Sequence, residues 1–313
     1  MLPPAMRFSV QLPTEGVERG AEFLSGAALA ELARAAEATG FDACFVTDHP
    51  APPERWVAAG GHHALDPFVA LSFAAAATRA IRLQTNVLVL PYRNPFLTAK
   101  AAATLDVLSG GRLILGVAAG YLEGEFRALG VDFAARNEVC DEALDALLRI
   151  WSERDLHLAG RGFEARGTSA LPHPEQKPHP PLWVGGNSRR AIRRAVERAD
   201  GWLPFPAPAR MAGHVRTAAL ASVDDLRARL DYARAHARAV GRTRPLDVAF
   251  VPFGFELGRA KPPDPARFAD QVAELADAGV TWLVLNVPCA SRAEYRARVE
   301  ALGALVAPHR GGD

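Results

Sequence analysis

Short apolar runs alternate with Ala/Leu-rich helical patterns along this chain, and that alternation limits the fold more than any other feature. The apolar runs read as strands over 7–12, 42–47, 81–88, 112–118, the residues leading into Gly185-Gly186, 200–203, 246–253 and 281–287. Helical patterns follow at 26–39, 66–78, 95–108, 134–151, 189–198, 223–240, 267–278 and 293–306. The strands are apolar on both sides, as strands covered on both faces should be. Eight such β-α units in 313 residues predict a closed (β/α)8 TIM barrel in the α/β class. A doubly wound open sheet is the alternative, but no G-x-G-x-x-G follows the first strand. On the barrel reading, residues 1–313 are one domain.

Two segments interrupt the rhythm. Residues 152–180 form a long insertion before strand five, Pro-rich at its end, with a hairpin pattern over 156–158 and 163–165. Long connections in compact domains are commonly lids or binding loops, so this one is expected near the barrel mouth. Residues 47–65 are rich in Pro, Gly and His and follow strand two. A barrel puts that position at the C-terminal mouth, where such folds carry their chemistry.

Composition narrows the partners. Apolar residues make up 49% of the chain, which supports a sizeable core. The net charge is +1 with no basic run, so nucleic acid is not an expected partner. No apolar run is long enough to span a bilayer, and the first five residues lack the pattern of a secretion signal. Cys44, Cys140 and Cys289 are scattered without CxxC spacing and read as free thiols of a reducing, cytoplasmic setting. No close His/carboxylate ligand pattern is present, so no metal is predicted.

The residues just past the strands form a candidate site. His49 follows strand two; imidazole can move a proton near neutral pH, and Asp48 beside it could set its charge. A purely structural role, bonding backbone at a strand end, stays open for His49. His62 and His63 lie in a Gly-rich loop and read as surface groups. Gly185, Gly186, Asn187 and Ser188 form a tight strand-to-helix turn whose bare backbone suits a phosphate, or else a capped turn with no ligand. Arg189, Arg190, Arg193 and Arg194 read as a solvated helix face. Trp56, Tyr121, Trp202 and Phe205 offer aromatic walls, with Trp56, Trp202 and Phe205 assigned to a small, apolar or aromatic substrate.

Several of these pieces together resemble the bacterial luciferase-like flavin and deazaflavin oxidoreductases. They are Asp48-His49, the run from Asn86-Val87 through Gly110-Gly111-Arg112, Gly116 to Tyr121, Trp183 to Ser188, and Asp200-Gly201-Trp202. The likeness covers nearly the whole chain and is greatest to the branch usually assigned to coenzyme F420. It implies an F420-dependent oxidoreductase that moves a hydride to or from a small organic molecule, and commonly a homodimer. The resemblance places His49 by the deazaflavin ring, Asp48 on the cofactor or on His49, and Gly120 and Tyr121 beside the ring. It puts a non-prolyl cis peptide at Asn86-Val87 and the phosphate on Gly185 to Ser188. An FMN-dependent monooxygenase on the same scaffold is the alternative, and a non-catalytic flavin- or ligand-binding protein is another. Ala118 stands where relatives often have Gly. Tyr121 stands where sugar-phosphate dehydrogenases of the superfamily carry a carboxylate, so a sugar phosphate is not the expected substrate.

Overall fold

A computed structural model describes residues 6–254 and 264–310. In chain order, β1 (Arg7–Gln11), α1 (Gly26–Ala38), β2 (Ala43–Val46), α2 (Glu54–Ala58), α3 (Pro67–Ala77), β3 (Arg82–Val89) and α4 (Pro95–Leu108) come first. Next are β4 (Leu113–Ala118), α5 (Glu123–Ala128), α6 (Arg136–Ser152), β5 (Leu156–Gly160), β6 (Phe163–Thr168), β7 (Leu182–Gly185) and α7 (Arg189–Arg198). The remainder are β8 (Gly201–Leu203), α8 (Ala209–His214), α9 (Val223–Ala239), β9 (Asp247–Phe250), α10 (Pro265–Ala278), β10 (Trp282–Leu285) and α11 (Arg292–Val306).

Eight parallel strands close a barrel in the order β1-β10-β9-β8-β7-β4-β3-β2. Closure is visible at β1, where Val10 is in register with Leu285 on one side and Cys44 on the other. Helix starts follow the local chemistry. Asp66 and Asn94 cap α3 and α4, each with Pro in the first turn, and Ser222 with Asp225 forms a capping box on α9.

Alternate residues of each strand face opposite layers. Ala43, Phe45, Ile114, Trp183, Leu203, Trp282 and Val284 fill the barrel interior, where the Trp183 and Trp282 rings meet edge to face at 5.1 Å. Cys44, Val46, Val184 and Trp202 belong to the larger layer between strands and helices. The interior also holds polar groups, and Ser9 Oγ donates to Gln84 Oε1 at 2.7 Å.

The insertion is anchored on the flank of the barrel. The β5–β6 hairpin packs on α6, and Arg161 N donates to Glu142 Oε2 at 2.9 Å. Its tip meets the start of α4, with Phe163 against Phe96 and Asn94 Nδ2 donating to the Gly162 carbonyl. The return passes the other end of α4, where Gln176 bonds Asp106 and donates to the Leu113 carbonyl at 2.8 Å. The tip thus lies beside the start of α4, the helix that follows β3. The hairpin's apolar residues Leu156 and Ala165 are buried in the main core cluster.

Candidate active site at the barrel mouth

His49 lies just past β2 with a side chain only 11% exposed. Its Nδ1 is 3.3 Å from Glu125 Oε2, a carboxylate fully buried on α5. Glu125 also accepts from Tyr92 Oη at 2.8 Å and from the Ala51 amide at 3.2 Å. An acceptor at Nδ1 puts the ring proton there and leaves the lone pair on Nε2, the form suited to taking a proton. Three rings surround His49: Trp56 at 4.7 Å, His62 edge-on at 4.9 Å and Tyr121 at 6.3 Å. Burial, and then the Glu125 hydrogen bond and charge, push the Tyr92 hydroxyl well above its usual range, so it stays a donor. Burial also raises the Tyr121 hydroxyl.

Glu125, Tyr92 and His62 are neighbours in this cluster that the sequence reading missed. His62 was expected at the surface and is instead packed in this cluster, where burial lowers its proton affinity and the nearby His49 acts in the same direction. The only sequence signal for Glu125 is its spacing, one helical turn beyond Tyr121, with Phe126 buried beside it.

Asp48 does something else. Its carboxylate accepts from Val89 N at 2.9 Å and takes both Arg93 nitrogens, at 2.6 and 2.9 Å. Both oxygens are occupied by these bonds on a residue 3% exposed, so the Asp48 carboxylate is engaged with the frame rather than with His49. It ties the start of the 47–65 loop to the end of β3, and Glu125 takes the orienting role.

The ends of β3, β4 and β7 converge on the other side of the mouth. The Asn86-Val87 peptide is cis, and the β3–β4 register shifts between Thr85 and Leu88. A side-chain carbon on Gly185 would sit 3.2 Å from Val87 Cγ1 and 3.6 Å from Ala118 Cβ, so glycine keeps this junction open. Gly186 has φ +114°, which glycine alone adopts freely, so the backbone itself requires it. Gly120, at φ +78°, backs onto Val89 and Phe126 and makes the turn that presents Tyr121.

Three assignments in this region are corrected. Asn187 is fully buried; its amide donates to Thr217 Oγ1, its Nδ2 to the Phe205 and Ala218 carbonyls, and its Oδ1 accepts from Phe205 N. Its amide and both side-chain polar atoms fasten the following loops, which leaves none of these three for a cofactor. Trp202 is also fully buried, on the outward face of β8, and its Nε1 donates to the Gly186 carbonyl at 2.8 Å. It props the turn and cannot line a substrate site. The arginines of α7 are not a simple solvated face, because Arg190 and Arg194 pair with Glu138 and Asp141 of α6. Ser188 caps α7, accepting from Ala191 N, while the Arg189 and Arg190 amides lie in the first turn beyond reach of a helical carbonyl. Phe205 is half-buried beside that turn.

A cavity of about 480 Å³ opens next to this cluster, between the segments after β1 and β10. His62 belongs to both, and Glu15, Phe23, Val287 and Cys289 complete the nearest wall. Glu15 receives a hydrogen bond from Gln11 on one oxygen, while Oε2 is buried with no partner among the described residues. Burial raises its carboxyl to about 7. A carboxyl raised on folding favours the folded state at low pH, and that advantage fades as pH rises from the unfolded value through 7. Replacing it with a permanently neutral amide should therefore stabilise the protein above pH 7 and do little near pH 4. Glu15→Gln is expected to gain about 1–3 kcal/mol at pH 8, measured by urea unfolding at both pH values. An equal change at the two pH values would refute the buried-acid account.

Among the described residues no group of three or more His, Cys, Asp or Glu could hold a metal ion, and no helix is long and apolar enough to cross a membrane. The architecture is thus a closed β/α barrel with its reactive side chains gathered at the C-terminal mouth. Residues 6–257 match the family described as Luciferase-like monooxygenase, and the chain belongs to that family. It is 29% identical over 291 residues to uncharacterized protein Mb0978c of Mycobacterium bovis, covering 89% of this chain and 93% of that one. It is 31% identical over 215 residues to an FMNH(2)-dependent dimethylsulfone monooxygenase of Pseudomonas putida, covering 67% of this chain and 55% of the relative. In fold it is similar to the coenzyme F420 dependent tetrahydromethanopterin reductase from Methanopyrus kandleri, with a TM-score of 0.73, 18% identity, and 98% and 100% of the two chains covered.

Proposed function

We propose that this member of the family is an F420-dependent oxidoreductase acting on a small organic substrate. The observation that carries the proposal is the His49–Glu125–Tyr92 chain, walled by Trp56 and Tyr121 and lying beside an open cavity. When bound, the deazaflavin supplies or accepts the hydride. The residues present fit such a group. The open junction at Val87, Ala118 and Gly185 leaves room for a planar ring, and the first-turn amides of α7 offer donors to a phosphate. His49 takes or returns the substrate proton at Nε2 while Glu125 holds Nδ1, and Trp56 and Tyr121 exclude water from that exchange. Phe205 and the cavity wall present apolar surface to the substrate.

The relative that uses reduced FMN supports a second reading, an FMN-dependent monooxygenase on the same site. A non-catalytic flavin-binding protein is a third. Titrating purified protein with F420 and with FMN, then measuring substrate turnover with reduced F420 and oxygen uptake with reduced FMN, separates all three. Tighter binding of FMN together with substrate-dependent oxygen uptake would displace the F420 reading, and binding without turnover would leave only the third.

The free thiols fit a cytoplasmic setting. We further propose a homodimer through the outer face of α3 and α4. There Val69, Phe73, Leu97 and Leu108 are 60, 49, 71 and 78% exposed, an unusual apolar load for solvent-facing helices. Sedimentation should show a dimer that Phe73→Glu converts to monomer. A wild-type monomer at micromolar concentration would refute it.

A further inference from the structure

Two arginines beside the proposed phosphate turn have no role in the chemistry above. Arg136 opens α6 and Arg216 follows α8, yet both guanidiniums lie over the Phe133 ring, 4.1 and 4.6 Å from its centroid. Their place relative to the turn is set by their chain neighbours. Thr217, next to Arg216, accepts from the Asn187 amide at 2.9 Å. Asn137, next to Arg136, accepts from Arg194 of α7 through its carbonyl at 2.7 Å and its side chain at 3.0 Å.

Charge balance distinguishes this pair from Arg190, Arg194 and Arg198 of α7. Arg190, Arg194 and Arg198 each meet a carboxylate of α6. The Arg136 guanidinium makes one hydrogen bond among the described residues, to the Phe133 carbonyl. Arg216 has only the exposed Glu123, at 3.4 Å. Burial and then the Arg216 charge disfavour the Arg136 cation, which the Glu138 charge offsets only in part. Stacking on an aromatic face fixes each planar fork while leaving its edge free for a carboxylate.

We propose that Arg136 and Arg216 form a second anion subsite that takes the carboxylates of a cofactor tail extending beyond the phosphate. The inference rests on the F420 reading. F420 continues past its phosphate into γ-linked glutamates, whereas FMN ends there. A guanidinium fork matches a carboxylate in a two-bond pairing, and two forks suit a chain that carries several.

The test compares F420 bearing several glutamates with F420 bearing none, and with FMN, by fluorescence titration of wild type, Arg136→Ala, Arg216→Ala and the double variant. Wild type should bind the long-tailed form about 3- to 10-fold tighter at low salt, with the difference shrinking as salt rises. The double variant should lose that difference, while its affinities for tail-free F420 and FMN stay within about twofold of wild type. Arg136→Lys should retain part of it. Equal wild-type affinity for both F420 forms overturns the subsite and leaves the cofactor reading standing. An equal loss for both forms in the variants also overturns it, because the arginines would then serve the phosphate or the fold. Failure of either F420 form to bind overturns the cofactor reading and this inference together.

Discussion

His49→Ala is expected to lower turnover about 10²–10⁴-fold while changing cofactor affinity no more than a few-fold, the usual range for a positioned acid–base group. The expectation follows from how the ring is held. Its Nδ1 faces a buried carboxylate that is itself fastened by Tyr92 and Ala51, so the imidazole is fixed in one orientation before any ligand arrives. Tyr92→Phe should lower turnover less than His49→Ala, because it removes one support of Glu125 and leaves the imidazole in place. Steady-state kcat and the cofactor Kd, measured on the same preparations, decide the matter. If turnover in His49→Ala falls only in step with cofactor occupancy, His49 is scaffold, and the reactive proton is handled elsewhere.

Asp48→Ala should have its effect on stability instead, with a loss of about 3–5 kcal/mol. Removing the carboxylate leaves the Arg93 guanidinium, 20% exposed, with only Asp66 at 3.4 Å. It also strips the Val89 amide of its acceptor in a buried position. Breaking one side of a buried pair is costly because the remaining charge keeps its desolvation penalty and loses its partner. Urea unfolding of the variant, alongside the kcat of its folded fraction at low temperature, separates the two roles. A protein of normal stability with poor cofactor binding would return Asp48 to the site. The contrast between adjacent residues is instructive: consecutive side chains after a strand point in different directions, so Asp48 serves the frame and His49 the mouth.

The barrel was legible in the residues because its causes are local. Each strand is a short apolar run, several helix starts carry their own caps, as at Asp66, Asn94, Ser188 and Ser222, and the turn at Gly186 needs glycine for its backbone angle alone. Repetition of that unit leaves few ways to bury both faces of a parallel sheet, so closure follows from the pattern. The place of His49 just past β2 was legible too, since it is a matter of order along the chain. The cis peptide at Asn86-Val87 entered only through family resemblance, because nothing in the two residues requires it.

What the residues alone left open was which side chains meet. Glu125 lies 76 positions from His49, and no periodicity links them; only the closing of the sheet brings the loop after β4 against the loop after β2. The same closure turns Trp202 outward, spends Asn187 on Phe205 and Ala218, and presses the hairpin of the insertion onto α4 and α6. Local sequence sets backbone angles and the faces of each element, which act over a few residues. The ownership of a hydrogen bond between distant loops is settled by competition among all the groups that packing brings within reach, and that competition takes place only in the folded chain.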